Sequence, residues 1–435
     1  MFVLTPPPQA TSASVLRAPQ LLWLLAIADT FGGLAQGFPV AQLLKSGVVA
    51  FFLIYLFASS ALSVGTRLVW LGAIGYFVAR LLVDYLIFLD QRVLSMQGGS
   101  TLRLLFFPLL YAYLLDQINK GRLRRAELLG CILVYGWLIL ASLFVGEVTG
   151  LGGVIGGRGT DMDGGKGFMI GANEVGLMLI LTAPFVGADI VRHTRSLIIG
   201  AALQLLIYVL AGLHVFTKSS LISTAVSAFS VYRAFMRRGR AGRMFMFAVL
   251  AGLCIAITRL IYDNLETIET FARSTFFAAL LDEGLVAFLF RGREEYISAI
   301  FPQLLEHSLN WLFLLFGAGE VYMRDLSVIP MMLAPDDGTT FEMDVFDMLG
   351  AYGLVGCAIY AGVVGMLLRQ AGPRRFPAEI SLAVFGILIH SFMAGHVLFS
   401  PQVTTLLALV LLYHCGTDPT TRARHGTAQQ AEPSL

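Results

Sequence analysis

Residues 196–214, SLIIGAALQLLIYVLAGLH, run for nineteen positions without an Asp, Glu, Lys or Arg, just after Arg192 and Arg195. Wound into a helix, such a run covers the ~30 Å hydrocarbon core of a bilayer, and the arginines before it mark the side from which it enters. Comparable apolar runs fall near 20–38, 42–60, 67–88, 101–117, 126–147, 173–191, 219–235, 244–262, 345–368, 377–397 and 400–415. The first is the weakest, because Asp29 and Gly32-Gly33 interrupt it. With 57% hydrophobic residues, 13% charged residues and a mean hydropathy of +0.77, the chain carries about half the charge of a soluble domain. The pattern predicts an all-α integral membrane protein of about twelve transmembrane helices.

Lys and Arg set the orientation. Lys120, Arg122, Arg124 and Arg125 follow the fourth run, Arg192 and Arg195 the sixth, and Arg233, Arg237, Arg238, Arg240 and Arg243 the eighth. Arg369, Arg374 and Arg375 follow the tenth, and Arg422 and Arg424 lie in the tail. Every second loop is basic, so these loops and both termini are expected in the cytoplasm. The expected organisation is a tail (1–19), helices one to nine (20–262) with a Gly-rich outer loop (148–172), a large outer loop (263–344), helices ten to twelve (345–415) and a tail (416–435).

The large loop holds fourteen acidic and four basic residues, which suits a translocated segment. It is expected to be partly helical. Phe276–Phe290 is interrupted by Asp282-Glu283 and Trp311–Phe316 is too short to span, so both read as pieces packing against the membrane face. A net charge of +2 gives no pull toward nucleic acid. Cys131, Cys254, Cys357 and Cys415 are scattered through apolar runs and read as small core residues, and no cleaved leader is expected.

The Gly-rich loop, GGRGTDMDGGKGFMIGANEVG, places Arg158 and Lys166 near the membrane surface. It fails as a Walker loop because Lys166 is followed by Gly167. Asp161 and Asp163 have the spacing of a metal-binding D-x-D pair, which is common by chance in such loops. The two cations fit a phosphate site as well as they fit a solvated loop. Asn173 and Glu174 open the sixth run, where Asn173 is expected to cap a helix. Arg80 and Asp84, four apart in the third run, are expected to pair structurally. His390 is expected to be buried and His396 to sit at the outer surface. In the large loop, Arg291 and Arg293 suit a diphosphate, with Glu294-Glu295 available to neutralise them. Glu342 and Asp344 lie just before the tenth run, as candidate general bases or as charges favoured at a helix start.

Taken in order, GFMIGANEVGLMLILTAPF (167–185), FTKSSLISTAV (216–226), RGREEYISAI (291–300), GAGE (317–320) and EMDVFDMLGAYGLVG (342–356) resemble the bacterial O-antigen ligase and Wzy-type polysaccharide polymerase superfamily. The resemblance covers roughly residues 150–400 and includes the large loop between helices nine and ten. It implies a metal-independent, cofactor-free membrane glycosyltransferase of the bacterial inner membrane, working at its outer face on an undecaprenyl-diphosphate-linked oligosaccharide. A flippase and chain-length or export proteins of the same pathway would be its partners. Ligases of this superfamily carry a histidine eleven residues before the G-x-x-G; here Gly353–Gly356 is preceded at that distance by Glu342. That points to the polymerase side. The arginine that relatives carry after the serine of T-x-S-R is Ser220 here, with Lys218 nearby. The resemblance thus implies Glu342, Arg291 and Arg293 as catalytic residues. Arg158, Lys166, Asn173, Glu174, Lys218, Asp344 and His396 would bind substrate. A ligase, or a polysaccharide transporter or flippase, is the alternative.

Overall fold

The computed structural model describes residues 17–32, 40–58, 64–152, 154–155, 164–169, 171–244, 259, 282, 284, 290, 293–306, 310–328, 341–371, 376–395 and 397–414. Arg158, Arg291, His396, the Asp161–Asp163 pair, the ninth run (244–262), Phe276–Phe290 with its Asp282-Glu283 interruption as a whole, and both tails lie outside this set or largely so.

The described chain is an all-α membrane protein. Its helices are α1 (Ala18–Phe31), α2 (Val40–Ala58), α3 (Val64–Phe88), α4 (Gly98–Asn119), α5 (Arg125–Thr149), α6 (Ala172–Thr194), α7 (Leu197–Val215) and α8 (Lys218–Met236). They are followed by α9 (Arg293–Glu306), α10 (Asn310–Phe316), α11 (Glu320–Val328), α12 (Asp344–Gln370), α13 (Ala378–Ala394) and α14 (Pro401–Tyr413). A π-helical turn, Val93–Gln97, leads into α4. Among the described residues, six helices are long and apolar enough to cross a membrane: α3, α4 with its leading turn, α5, α6, α7 and α12. Of the twelve expected crossings, these six are long enough to span; helices stand at five more of the expected places, of which α1, α2, α13 and α14 are shorter apolar helices and α8 is the more polar one.

The eighth expected crossing, α8, is a 19-residue helix that falls outside the apolar set, and its packing gives the reason. Ser219, Ser220, Ser223 and Ser227 are fully buried, and a Cβ at Gly176 of α6 would collide with Ser219. Small residues let helices approach closely where lipid offers no hydrophobic drive, so this helix faces protein rather than lipid. Its start is fixed locally. The Thr217 hydroxyl accepts the Ser220 N–H (3.1 Å) while the Ser220 hydroxyl accepts the Thr217 N–H (2.9 Å), a reciprocal cap that accounts for the FTKSS sequence.

The first crossing is also shorter than expected, since α1 ends at Phe31 rather than near residue 38. Asp29 is tolerated there because it is fully buried against Lys45 (2.6 Å) and accepts the Tyr135 hydroxyl (3.1 Å). The Gly-rich loop is not simply a solvated loop. Val154–Ile155 and Gly164–Gly165 form a two-residue antiparallel ladder. Gly167, at φ 58°, lets the chain fold onto Ser142, and this buries Met169 and stacks Phe168 on Phe31 at 5.8 Å.

The most consequential junction joins the GAGE turn to α12. Gly353 (φ 69°, ψ −176°) breaks α12 in its first half. The backbone of the 315–317 stretch packs so tightly into that break that any Cβ at Gly353 would strike the Leu315 carbonyl. The freed carbonyls find new donors: Gly350 accepts Ala318 N–H (2.6 Å), and Tyr352 accepts the Tyr76 hydroxyl (2.6 Å). Arg80 and Asp84 pair as expected, at 2.6 Å, and also serve this junction. Arg80 donates to the Gly317 carbonyl (2.9 Å), while Gln97 donates to Asp84 (2.6 Å) and accepts the Glu320 N–H (3.2 Å).

Candidate functional site

The N-terminal turns of α4, α6, α11, α12 and α14 converge around a cavity of about 280 Å³. Ser100 and Arg103 come from α4, Glu174 from α6, and Glu320, Met323 and Arg324 from α11. Asp344, Asp347, Ala351 and Tyr352 come from α12, Glu342 from just before it, and Phe399 and Ser400 from the turn into α14. Carboxylates in first turns are stabilised by the positive end of the helix dipole, which offsets part of the repulsion among them.

Glu342 stands out on backbone grounds. Its φ of 54° is left-handed, a conformation that costs a residue with a Cβ roughly 1–3 kcal/mol. Close packing holds it there: Gly395, itself at φ 64°, lies so near that a Cβ on it would come within 2.6 Å of the Glu342 carbonyl. The side chain is 41% exposed and lies 3.4 Å from Arg293, whose side chain is 10% exposed. The pair therefore combines a held guanidinium with a carboxylate open to the cavity.

Asp344 is built differently. Its Oδ2 accepts the Ser391 hydroxyl (2.6 Å) and the N–H groups of Val397 (2.9 Å) and Leu398 (3.1 Å), and the residue is 1% exposed. These bonds fix the turn from Val397 that presents Phe399 and Ser400 to the cavity. Opposite them, Arg324 reaches Glu320 through Nη2 at 3.1 Å and Nε at 3.3 Å. Tyr352, fully buried at the floor, shares a hydrogen bond with the Thr101 hydroxyl (2.8 Å).

Of the residues singled out in the sequence, Glu174, Glu342 and Asp344 share this cavity, and Arg293 joins them through Glu342. Lys166, Asn173 and Lys218 do not line it. Asn173 does not cap α6: the capping position is Gly171, and Asn173 instead accepts the Ser219 hydroxyl on its carbonyl (3.4 Å). Glu174 is the residue that folds back on that helix start, against Gly171. Lys218 is the first residue of α8, and Lys166 accepts the Met169 N–H in the turn after the ladder. Arg158, Arg291 and His396 lie outside the described residues.

Arg103, Glu320, Arg324 and Asp347 were missed. Arg103 carried a usable signal, since a charge near the start of an apolar run marks a polar interior or cavity. Glu320 and Asp347 sat within the quoted motifs, but only the folded chain brings them to Glu342. Among the described residues, no three His, Cys, Asp or Glu side chains are arranged to hold a metal ion. The arrangement can hold a polyhydroxylated or anionic ligand and can accept a proton at Glu342. Comparison with family models, curated proteins and solved structures finds no match to this chain.

Proposed function

We propose that the protein is a polymerase of lipid-linked oligosaccharide repeat units, acting at the outer face of a bacterial inner membrane. It would make an exopolysaccharide, capsule or O-antigen. The observation that carries the reading is the Arg293–Glu342 pair at the mouth of a polar cavity, with Glu342 held in a strained backbone conformation. Strain of this kind persists where surrounding structure enforces it, and it clusters at reacting sites.

The orientation is argued from charge. The cavity lies at the N-terminal ends of α4 and α6, whereas Lys120 to Arg125 and Arg195 follow their C-terminal ends. The positive-inside rule then puts the cavity on the outer side. In the proposed step, the acceptor hydroxyl oxygen bonds to the anomeric carbon of the lipid-linked glycan as the carbon–oxygen bond to the diphosphate breaks. The lipid diphosphate leaves with the electron pair, and Glu342 takes the hydroxyl proton. Arg293, with Arg103 and Arg324 nearby, would stabilise the charge growing on the diphosphate. A ligase would use the same bond changes with a different acceptor.

The broken α12 and the buried Arg80–Asp84 and Asp29–Lys45 pairs also favour a second reading, a transporter, because such features recur where substrates cross membranes. Deleting the gene and sizing the lipid-linked glycans separates the three. Single repeats on the outer face support the polymerase, long undelivered chains the ligase, and repeats retained on the cytoplasmic face the transporter.

A further inference from the structure

Gln97 is fully buried and ends the π-helical turn that leads into α4. Turns of this kind occur often at functional sites. Both ends of its side-chain amide are committed, to different elements. Nε2 donates to Asp84 (2.6 Å), the carboxylate that pairs with Arg80 on α3. Oε1 accepts the N–H of Glu320 (3.2 Å), the first residue of α11. The first N–H groups of a helix have no partner within it, so Gln97 caps α11 from another helix. Gly319 (φ 90°) permits the close approach, since a Cβ there would come within 2.9 Å of Asp84. Glu320 in turn holds Arg324, four residues on, at the cavity wall (3.1 Å). The Gln97 carbonyl accepts the Thr101 hydroxyl (2.8 Å), which bonds Tyr352 at the cavity floor (2.8 Å). Those last two bonds do not involve the Gln97 side chain.

We infer that Gln97 is a positioning residue: through its amide, the buried Arg80–Asp84 pair sets the start of α11, and with it Glu320 and Arg324, against the cavity. The inference rests on the proposed polymerase reading for the step that Arg324 serves. Direction fixes the role of the amide. An ionised carboxylate only accepts and an N–H only donates, so the group between them must donate on one side and accept on the other. A side-chain amide does both; leucine, of similar bulk, does neither. Leucine would take a partner from Asp84 and another from the Glu320 N–H in low dielectric, where such losses are costly. With nine residues, α11 is too short to hold its place by its own hydrogen bonds. A misplacement of about 1 Å at a group facing the reacting atoms costs on the order of a hundredfold in rate.

The test reads amide hydrogen exchange of the full chain in lipid nanodiscs, and glycan chain length in cells holding equal protein. Gln97→Leu should speed exchange across 320–328 by about tenfold or more while α6 and α7 exchange as in the parent, because the lost bond is local. Chain extension should fall by about tenfold or more. Asp84→Asn should do the same, because an amide offers one accepting oxygen where the carboxylate offered two. Adding Gln97→Glu to Asp84→Asn should recover most of both losses: amide and carboxylate trade places, and one buried anion stays beside Arg80. Should Gln97→Leu not accumulate, this recovery decides alone. Faster exchange spread evenly over the bundle, no recovery in the double variant, or ordinary chain length despite faster exchange in α11 would overturn the inference. The polymerase reading is judged by gene deletion. Single repeats on deletion with ordinary chains from Gln97→Leu sink the positioning role alone; unchanged chains on deletion sink the polymerase, and exchange then judges the tie between Asp84 and α11.

Discussion

Arg80–Asp84 and Arg293–Glu342 are both arginine–carboxylate pairs with a nearly buried arginine, but they end in opposite ways. In the first the ions are 2.6 Å apart, the carboxylate is 1% exposed, and Gln97 and the Gly317 carbonyl take up further valences. In the second the ions are 3.4 Å apart and the carboxylate is 41% exposed beside a cavity. A buried pair tied to further protein groups fixes structure in low dielectric, since it is shielded from any outside ligand. An open pair keeps a charged group available to a ligand. The difference teaches that an ionisable residue near a membrane is assigned by its exposure and the groups around it, not by its charge.

Four substitutions test that contrast. The largest effect is expected for Arg293→Ala, which should lower chain extension by about a thousandfold or more, as loss of a transition-state arginine does. Polymer length in cells carrying equal protein is the measure, and normal polymer would remove Arg293 from the mechanism. Asp84→Ala should instead leave Arg80 buried without its carboxylate and destabilise the fold by roughly 3–5 kcal/mol. Its thermal unfolding in nanodiscs should shift far more than that of Glu342→Gln. Conversely, Glu342→Gln should cost chain extension about a hundredfold while leaving the unfolding transition in place. Unchanged chain length would show that the carboxylate is not the base. Gly353→Ala tests the junction that the first pair secures: strain at positive φ costs about 1–3 kcal/mol, and the clash with Leu315 adds to it. A variant as stable as the parent would mean that the break in α12 is not enforced.

Much of the bundle was readable in one dimension because each crossing must satisfy its own backbone in lipid, and so carries its own apolar run. What the local pattern did not record was where protein takes the place of lipid. The polar helix α8 is one case, held by serines against α6, and Asp29 with its distant partners Lys45 and Tyr135 is another. The candidate site was half legible. Glu174, Glu342 and Asp344 could be picked out because they open helices, and Arg293 because it stands among charges in the large loop. Their roles were not legible, since Asp344 looks like Glu342 until Ser391, Val397 and Leu398 are seen to fill it.

The sequence by itself determined an all-α membrane chain, the places of most of its helices, and the acidic character of the segment before α12. Those properties follow from local composition: apolar length, flanking charge and the residues at helix starts. The tertiary structure alone decided that α4, α6, α11, α12 and α14 meet at one cavity, that Gly353 opens α12 to the GAGE turn, and that Glu342 is held at positive φ. Each depends on residues far apart in the chain coming within a few ångströms, and no local pattern records such distances.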